Sequence, residues 1–115
     1  MAIYFVEATT FTARIVAMGL DVHLRHLQDV LRAEPDAGVT DAGTGGLQKI
    51  RMPDPLRNKG KRGGARVHYL HLRSHGVIYL LFVYGKNEQD ALTARQKRGL
   101  RAIVDTIKAE WDSRS

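Results

Sequence analysis

The sequence contains no cysteine, and this absence removes three kinds of chemistry at once. Disulfide bonds, cysteine-based zinc sites and a cysteine nucleophile are all excluded. No apolar run reaches the roughly 18 residues that a membrane-spanning helix needs. The first residues, MAIYFVEATTF, lack the basic leader and apolar segment of a signal peptide. We therefore expect a cytoplasmic protein with no membrane span.

The remaining composition is that of an ordinary globular domain. Hydrophobic residues make up 43% of the 115 residues and charged residues make up 26%, which are usual fractions for a folded protein. A chain of this length buries a core without the support of disulfides or metals. We therefore expect residues 1–115 to form a single domain.

Positive charge is concentrated in one segment. Between positions 49 and 73 there are eight Lys or Arg residues and one acid, so this segment carries +7 while the whole chain carries +6. A localised basic field points to a polyanionic partner, most often a nucleic acid, although an acidic protein or an anionic membrane also fits. The eight basic residues are Lys49, Arg51, Arg57, Lys59, Lys61, Arg62, Arg66 and Arg73.

The apolar pattern predicts seven elements in the order β-α-α-β-β-β-α. The predicted strands are Ala2–Glu7, Leu47–Met52, Ala65–Leu72 and Val77–Tyr84. The predicted helices start at Thr10 or Thr12 and end at Gly19, run from Asp21 to Glu34, and start at the N-cap Thr93. This order predicts an α+β domain, with an N-terminal two-helix hairpin and a C-terminal helix packed on a small, mostly antiparallel sheet. The apolar stripe of the last helix contains Leu100, Ile103, Val104, Ile107 and Trp111.

Three connections are rich in glycine, turn residues or charge. Residues 35–46 have the composition of a loop. Its GTGG sequence, Gly43 to Gly46, precedes a strand instead of linking a strand to a helix, so a turn is a better interpretation than a phosphate-binding loop. The segment Arg57–Gly64 has the content of a mobile connection, and Arg73–Gly76 is typical of a tight hairpin.

The strand before the mobile connection is basic. On a strand, residues i and i+2 project from one face, so Lys49 and Arg51 would project together. With Arg66 on the adjacent strand, these groups would converge on one phosphate, because guanidinium and ammonium groups match its charge. The alternative is a solvated sheet face whose charges deter aggregation at the sheet edge.

Tyr84 and Lys86 lie where the buried strand surfaces. Their i, i+2 spacing could place both on one face, and nearby cations would make the tyrosine ionise more easily. Either residue could then transfer a proton. The alternative is that Tyr84 is a core aromatic and Lys86 is an ordinary surface residue.

The histidines do not predict a metal site. His68 and His71 have odd separation and would face opposite sides of a strand. With no cysteine and no nearby carboxylate, His68, His71 and His75 make a poor ligand set. His68 shares strand parity with Arg66, which leaves a catalytic role open for it. His23 and His26 are most simply residues of a helix surface.

Three motifs together resemble a known family, the RelE/HigB-type toxins of bacterial toxin–antitoxin systems. They are GTGGLQKIR (43–51), GKRGGARVHY (60–69) and IYLLFVYGKNEQDALT (78–93), and the helix that follows them also fits. The resemblance covers nearly the whole chain, although the first 35 residues match only in their pattern of one strand and two helices. It implies the RelE-like fold, with the element order predicted above.

The resemblance also implies an activity and partners. It implies a ribosome-dependent endoribonuclease that needs no metal or cofactor and cleaves mRNA by attack of the 2′-OH on the adjacent phosphate. A cognate antitoxin would hold it inactive, and no membrane would be involved. The catalytic positions implied are Lys49, Arg51, Arg66, Tyr84 and Lys86. We expect a second group of cations to contact RNA or the ribosome: Arg57, Lys59, Lys61, Arg62 and Arg73.

The sequence departs from the better-studied RelE branch at two places. That branch has a basic residue directly after the lysine and a tyrosine a few residues later, where this chain has Asn87 and the Leu92–Thr93 region. The identity of the general base therefore stays open. Two other functions also stay open: a non-catalytic inhibitor of DNA gyrase of the ParE type, and a basic RNA-binding module without catalysis.

Overall fold

A computed structural model describes residues 2–52 and 64–114 of the chain. We number the strands and helices in chain order, leaving the single 3₁₀ turn Asp21–His23 unnumbered. The strands are β1 (Tyr4–Glu7), β2 (Val39–Thr40), β3 (Gln48–Met52), β4 (Ala65–Leu72) and β5 (Val77–Gly85). The helices are α1 (Thr9–Ala17), α2 (Leu24–Ala33) and α3 (Ala94–Ser113).

The five strands form one mixed sheet in the order β1-β5-β4-β3-β2. β1 pairs with β5 in parallel, and the other three pairings are antiparallel. The α+β class and the mostly antiparallel sheet are therefore confirmed. β4 occupies the centre of the sheet, and β5 lies between β4 and β1. The apolar run from position 77 to 84 is buried along most of its length, as its composition predicts.

Two apolar cores lie on opposite faces of the sheet. On one face, α1 and α2 bury Phe11, Ile15, Leu27 and Leu31 against β3, β4 and β5. The opposite face packs against α3, whose buried residues are Leu100, Val104 and Ile107. Alternate residues of β4 serve the two cores, since Tyr69 belongs to the first and Leu70 to the second.

The last helix begins as the sequence predicts. The Thr93 side chain accepts a hydrogen bond from the Gln96 backbone N–H, and the Gln96 side chain accepts one from the Thr93 N–H. This reciprocal capping box satisfies two of the donors that a helix start leaves unpaired. The predicted apolar stripe is wrong at Ile103, which is 46% exposed because it lies about 100° around the helix from the fully buried Val104.

One prediction near the N-terminus needs correction. The first helix has Ala8 as its N-cap, with no side-chain cap, so it starts before Thr10 and Thr12. The Thr12 hydroxyl instead donates to Glu7 Oε1 at 2.7 Å. Its predicted end is right: Gly19, just past α1, has φ of 72°, a conformation that glycine adopts without strain.

The segment 35–46 contains a short strand where the sequence predicts only loop. β2 pairs Val39 with Lys49 and Thr40 with Gln48. The approach to this strand is tight, because a Cβ on Gly38 would lie 2.9 Å from both the Lys49 carbonyl oxygen and the Tyr69 ring. The Tyr69 hydroxyl fixes the same segment, since it donates to Pro35 O at 2.8 Å and accepts from Gly38 N at 2.9 Å. Only glycine therefore fits at position 38.

No helix in the described part of the chain combines the length and the apolar composition needed to cross a bilayer.

Candidate functional site

The pairing register aligns the predicted cations on one face of the sheet. Arg51 of β3 lies opposite Arg66 of β4, and Arg66 lies opposite Tyr84 of β5. Directly opposite residues share a face with Cβ atoms about 4.5–5.5 Å apart. Arg51, Arg66 and Tyr84 therefore form one row across three strands, which we call the arginine row.

A second row runs beside the arginine row on the same face. Lys49 lies opposite His68, and His68 lies opposite Phe82. Phe82 and Leu70 also pack in the core that α3 covers, so both rows lie on the α3 side of the sheet. The structure thus brings Lys49, Arg51 and Arg66 together.

A β-bulge decides which face Tyr84 occupies. His68 pairs with Phe82, but the next residue, Tyr69, pairs with Leu80, so Leu81 has no partner on β4. Tyr79 and Leu81 both pack in the α3 core, and strict alternation from them would send Val83 to that side and Tyr84 to the other. The extra residue shifts the alternation by one and delivers Tyr84 to the arginine row.

Arg66 has an unsatisfied buried donor. Its side chain is half-buried, and its Nη1 atom is buried without a hydrogen-bond partner among residues 2–52 and 64–114. A buried guanidinium nitrogen without an acceptor is unusual, because the large majority of buried polar atoms in proteins are paired. An anionic group could accept a hydrogen bond from this nitrogen, and the positive charge of Arg51 in the same row would attract such a group.

Tyr84 is a core residue, with no exposed surface. Burial raises the pKa of its hydroxyl, and the nearby Asp41 carboxylate adds to this effect, while the Arg66 guanidinium acts in the opposite direction. The expectation that neighbouring cations would make Tyr84 ionise more easily is wrong, because loss of hydration outweighs attraction to the cation.

Lys86 lies in a turn, one residue past the end of β5 at Gly85. Strand alternation ends there and does not place Lys86 on the face of Tyr84. The side chain is exposed.

The turn that carries Lys86 is fixed by Glu88. Its Oε1 accepts the Gly85 N–H at 2.8 Å, and its Oε2 lies 3.0 Å from Arg14 Nη2 of α1. The Gly85 N–H and the Arg14 guanidinium both lower the pKa of Glu88, the Gly85 bond most, against a smaller opposing effect of burial. Arg14 also donates from Nε to Val83 O at 2.6 Å. The end of β5 is therefore anchored to α1.

His68 joins the site through two contacts. Its Nε2 lies 3.3 Å from the Tyr84 hydroxyl, and its Nδ1 lies 2.9 Å from Asp41 Oδ2. The second contact is at ion-pair distance but off the line of a good hydrogen bond, so neither atom counts as satisfied by strict geometry. Burial lowers the pKa of His68, and Lys49 also lowers it, while Asp41 raises it. Burial outweighs the carboxylate, and the imidazole is held uncharged at neutral pH.

The turn after Asp41 fixes the backbone of this residue. The Asp41 N–H donates to Leu47 O at 2.9 Å. The Thr44 hydroxyl donates to Asp41 O at 2.7 Å and accepts from the Leu47 N–H at 3.1 Å. Gly45 packs against α3, where Lys108 donates to its carbonyl oxygen. The interpretation of GTGG as a turn is confirmed, and the turn carries the acid that contacts His68.

Sequence reasoning did not find Asp41, because an acid in a turn-rich loop gives no signal of what it will contact. The parity that His68 shares with Arg66 was a usable signal, and the structure places His68 on the face of the two rows.

Arg73 is not brought to the site. β4 separates it from Arg66 by seven residues, which is about 23 Å along a strand. It is 72% exposed and pairs with Asp36 Oδ2 at 3.0 Å. The other four cations expected to bind RNA or the ribosome lie outside the described residues: Arg57, Lys59, Lys61 and Arg62.

The remaining histidines lie elsewhere. His71 Nδ1 is 3.0 Å from Asp36 Oδ1, and the His75 ring stacks on Trp111 with centroids 4.6 Å apart. His26 is exposed on α2, while His23 is half-buried in the 3₁₀ turn. Among residues 2–52 and 64–114, no three His, Asp or Glu side chains are grouped to hold a metal ion.

No known protein-family model matches the chain.

Proposed function

We propose that this protein is a toxin of the RelE/HigB type, with the RelE-like fold: a ribosome-dependent endoribonuclease that cleaves mRNA and is neutralised by a cognate antitoxin. The observation that carries the proposal is the buried Nη1 of Arg66, which finds no acceptor within the described residues. A phosphate oxygen of RNA would supply that acceptor in a charge-assisted hydrogen bond. The family resemblance of the three motifs supports the same conclusion independently.

The spacing of Lys49, Arg51 and Arg66 fits one phosphodiester group and the adjacent phosphate of an RNA chain. Adjacent strands are about 4.8 Å apart, and residues i and i+2 on one strand are about 6.8 Å apart. Arg51, Arg66 and Lys49 therefore project from points that lie within about 7 Å of a neighbour. Three cations on one face repel each other, and a phosphate bound among them would offset this repulsion, which favours a bound phosphate over the alternative of a solvated surface.

The proposed reaction needs no group that the chain lacks. The 2′-oxygen of the RNA bonds to the adjacent phosphorus, its proton passes to a base, and the bond from phosphorus to the 5′-oxygen breaks. The leaving oxygen takes up a proton, and the products are a 2′,3′-cyclic phosphate and a 5′-hydroxyl. Negative charge grows on the phosphoryl oxygens in the transition state, where fixed guanidinium donors stabilise it most.

Arg66 is the strongest member of the proposed catalytic set. It lies on the central strand, so its guanidinium is better fixed than a cation in a turn. Arg51 would bind the same phosphate, and Lys49 would bind a flanking phosphate or neutralise the leaving oxygen. These assignments follow the sequence expectation, and their positions on one face support it.

Of the two candidate proton acceptors, Lys86 is the more accessible. The Tyr84 hydroxyl has no exposed surface, and burial raises its pKa, so both properties count against direct proton transfer from RNA. Lys86 is exposed in the turn that Glu88 and Arg14 anchor. Tyr84 then has a supporting role, as the buried residue directly opposite Arg66.

The experiment uses the full chain with ribosomes translating a defined mRNA. New RNA ends are mapped, and their chemistry is determined. We expect cleavage with a 2′,3′-cyclic phosphate and a 5′-hydroxyl, and no cleavage when the nucleotide before the scissile bond is 2′-deoxy. Arg66→Ala should slow single-turnover cleavage by about 10²–10³.

Arg32→Ala is the matched control for Arg66→Ala. Arg32 is an exposed arginine of α2 with an ion pair to Asp29 at 2.8 Å, and α2 packs on the opposite face of the sheet. Its removal should leave cleavage unchanged. If the wild-type protein leaves mRNA intact but inhibits DNA gyrase, the ParE-type alternative replaces the proposal. If it binds RNA without new ends, the protein is an RNA-binding module.

The antitoxin part of the proposal rests on charge. The +7 segment would be covered by an acidic, largely helical or extended partner chain, which blunts the cationic field. Co-expression of the toxin with the small genes beside its own should relieve growth arrest and yield a complex that survives moderate salt. Growth arrest that none of these genes relieves would contradict this part.

A further inference from the structure

Three side chains from three segments form a continuous polar chain that ends at Tyr84 of the arginine row, and two of the three are buried. Asp41 comes from the turn before β3, His68 from β4 and Tyr84 from β5. The contacts are 2.9 Å between Asp41 and His68 and 3.3 Å between His68 and Tyr84. His68 is 1% exposed and Tyr84 is fully buried. The proposed cleavage reaction gives neither Asp41 nor His68 a direct role.

The chemistry of the three groups fixes the positions of the protons. A carboxylate accepts hydrogen bonds and does not donate them, so the proton of the imidazole is placed on Nδ1, which lies 2.9 Å from Asp41 Oδ2. The attraction there is electrostatic, since the contact is off the line of a good hydrogen bond. Nε2 is then an acceptor, and the Tyr84 O–H donates to it. This direction leaves the lone pairs of the Tyr84 oxygen available on the side of Arg66, which lies opposite Tyr84 in the β4–β5 pairing.

We propose that Asp41 and His68 are positioning residues for the arginine row: the uncharged imidazole of His68 accepts the hydrogen of the Tyr84 hydroxyl and so fixes the ring that faces Arg66. The role in catalysis rests on the proposed function, while the hydrogen-bond arrangement itself does not. A tyrosine held at its hydroxyl end keeps its ring in one orientation, and the guanidinium beside it loses freedom. Fixed donors are the ones that stabilise a transition state.

Protonation of His68 would reverse this arrangement. The charged imidazole donates from both nitrogens, so Nε2–H would point at the Tyr84 oxygen and the tyrosine hydrogen would have to turn away. The charged or titratable groups that face His68 are Asp41 from the turn, Lys49 from β3 and Tyr84 from β5, with Arg66 two residues earlier on β4. A protonated His68 would also add a third positive charge beside Lys49 and Arg66. Because protonation breaks the hydrogen bond that Tyr84 donates to His68, we expect cleavage to slow in acid.

The lowered pKa of His68 supports the same conclusion. Burial is the largest cause, and it keeps the imidazole uncharged below the usual value of 6.5. The arrangement should persist at neutral pH and be lost as the pH falls below that value.

The first test measures the tautomer without reference to activity. Long-range proton–nitrogen NMR spectra of the ¹⁵N-labelled full chain distinguish the two uncharged tautomers of each histidine, and His68→Gln identifies the His68 signals. We expect the Nδ1–H tautomer at pH 7.5 and a protonation midpoint below 6.5. The Nε2–H tautomer, or a charged imidazole at pH 7.5, would overturn the proposal.

The second test measures single-turnover cleavage between pH 5.5 and 8 for three variants. His68→Leu removes the acceptor and should slow cleavage about tenfold at pH 7.5, the rate equivalent of one hydrogen bond. His68→Gln offers an amide oxygen to Tyr84 but does not titrate, so it should restore much of the rate and abolish the loss in acid. His71→Gln, on the same strand in an exposed pair with Asp36, should keep the wild-type rate and pH profile.

The outcomes separate the two proposals. A wild-type protein that cleaves no mRNA overturns the proposed function, while the tautomer measurement still decides the arrangement of His68 and Tyr84. If His68→Gln keeps the wild-type loss in acid, or if His68→Leu cleaves at the wild-type rate, His68 is a packing residue and the positioning role is wrong.

Discussion

The two ends of β4 carry the same three residue types in different surroundings. At one end, Arg66 and His68 lie in a sheet face, and Asp41 contacts the histidine at 2.9 Å. At the other end, Asp36 contacts both His71 and Arg73 at 3.0 Å. The side chains at the first end are 1% exposed for His68 and 20% for Asp41, against 10% for His71 and 42% for Asp36.

Burial decides whether the pKa of the acid or the pKa of the histidine is the one that shifts. At the exposed end, the hydrogen bond from His71 is the largest cause of a lowered pKa of Asp36, against a smaller opposing effect of burial, and Arg73 adds to the lowering. The ion pair there keeps the acid charged. At the buried end, loss of hydration dominates and lowers the pKa of His68 although a carboxylate lies beside it. Contact between the same two residue types thus lowers the pKa of the acid at the exposed end, while burial lowers the pKa of the histidine at the buried end.

The two arginines differ in the same way. Arg73 is exposed and its charge is offset by Asp36. Arg66 is half-buried, and its Nη1 has no acceptor in the part of the chain that the structure describes. Exposed pairs contribute little to stability or binding because water already solvates both partners. A donor held ready without an acceptor is the feature that distinguishes the proposed site.

The largest expected effect concerns the two arginines of β4. Arg66→Ala should slow single-turnover cleavage on saturating ribosomes by about 10²–10³. Arg73→Ala should leave that rate within about twofold, because the residue lies about 23 Å away along the strand. Circular dichroism and antitoxin binding serve as controls for folding. Equal losses in the two variants would contradict the distinction between the two ends.

The next effect concerns two tyrosines of β5. Tyr84→Phe removes the hydroxyl that contacts His68 and should slow cleavage about tenfold, as for one lost hydrogen bond. Tyr79→Phe removes a hydroxyl that accepts from Trp111 Nε1 at 2.9 Å, at the far end of the same strand, and should leave cleavage unchanged. A loss of about 10²–10⁴ for Tyr84→Phe would instead make Tyr84 a proton-transfer group.

A smaller effect is the dependence of stability on pH. The folded pKa of His68 lies below the unfolded value of 6.5, so below that value the unfolded state binds the extra proton. The free energy of unfolding should therefore fall as the pH drops from 6.5, with a slope of at most about 1.4 kcal/mol per pH unit for one proton. Urea titrations should show this slope in the wild type and in His71→Gln, and a flatter profile between pH 6.5 and 5 in His68→Gln.

The smallest effect concerns the exposed acid. Asp36→Asn breaks the contacts to His71 and Arg73 and should lower the free energy of unfolding by roughly 0.2–1 kcal/mol at low salt. Added salt should remove most of the difference, because exposed charges are screened. Since the folded pKa of Asp36 is lowered, its contribution is present above the usual value of 3.8 and is lost in stronger acid. A loss that resists 1 M salt would show that this end is not a simple surface pair.

The sequence predicted the local structure well. Apolar spacing located α1, α2, α3 and the four longer strands of the described residues, since these elements bury a face that must repeat with the element's own period. Thr93 and Gln96 predicted the start of α3, because a capping box is a local arrangement of four residues. The missed strand β2 has only two residues, Val39 and Thr40, which are too few for a period to be recognised.

The site was predicted only where strand parity sufficed. Lys49 and Arg51 lie on one face as their spacing requires, and the pairing brings Arg66 beside them. The role of Asp41 could not be predicted, because its contact with His68 depends on how the turn folds onto β4. Strand parity does not relate Lys86 to Tyr84, because β5 ends at Gly85 and alternation does not extend into a turn.

By itself, the sequence determined the elements, their approximate order and the local concentration of positive charge, since these depend on residues close in the chain. Only the tertiary structure decided the face of Tyr84 and the burial of His68. The unpaired Leu81 shifts the alternation of β5 by one residue, and which residue bulges depends on how both cores pack against the strand. Burial then sets the charge of His68, because hydration is lost only when the turn carrying Asp41 and the neighbouring strands close over the imidazole.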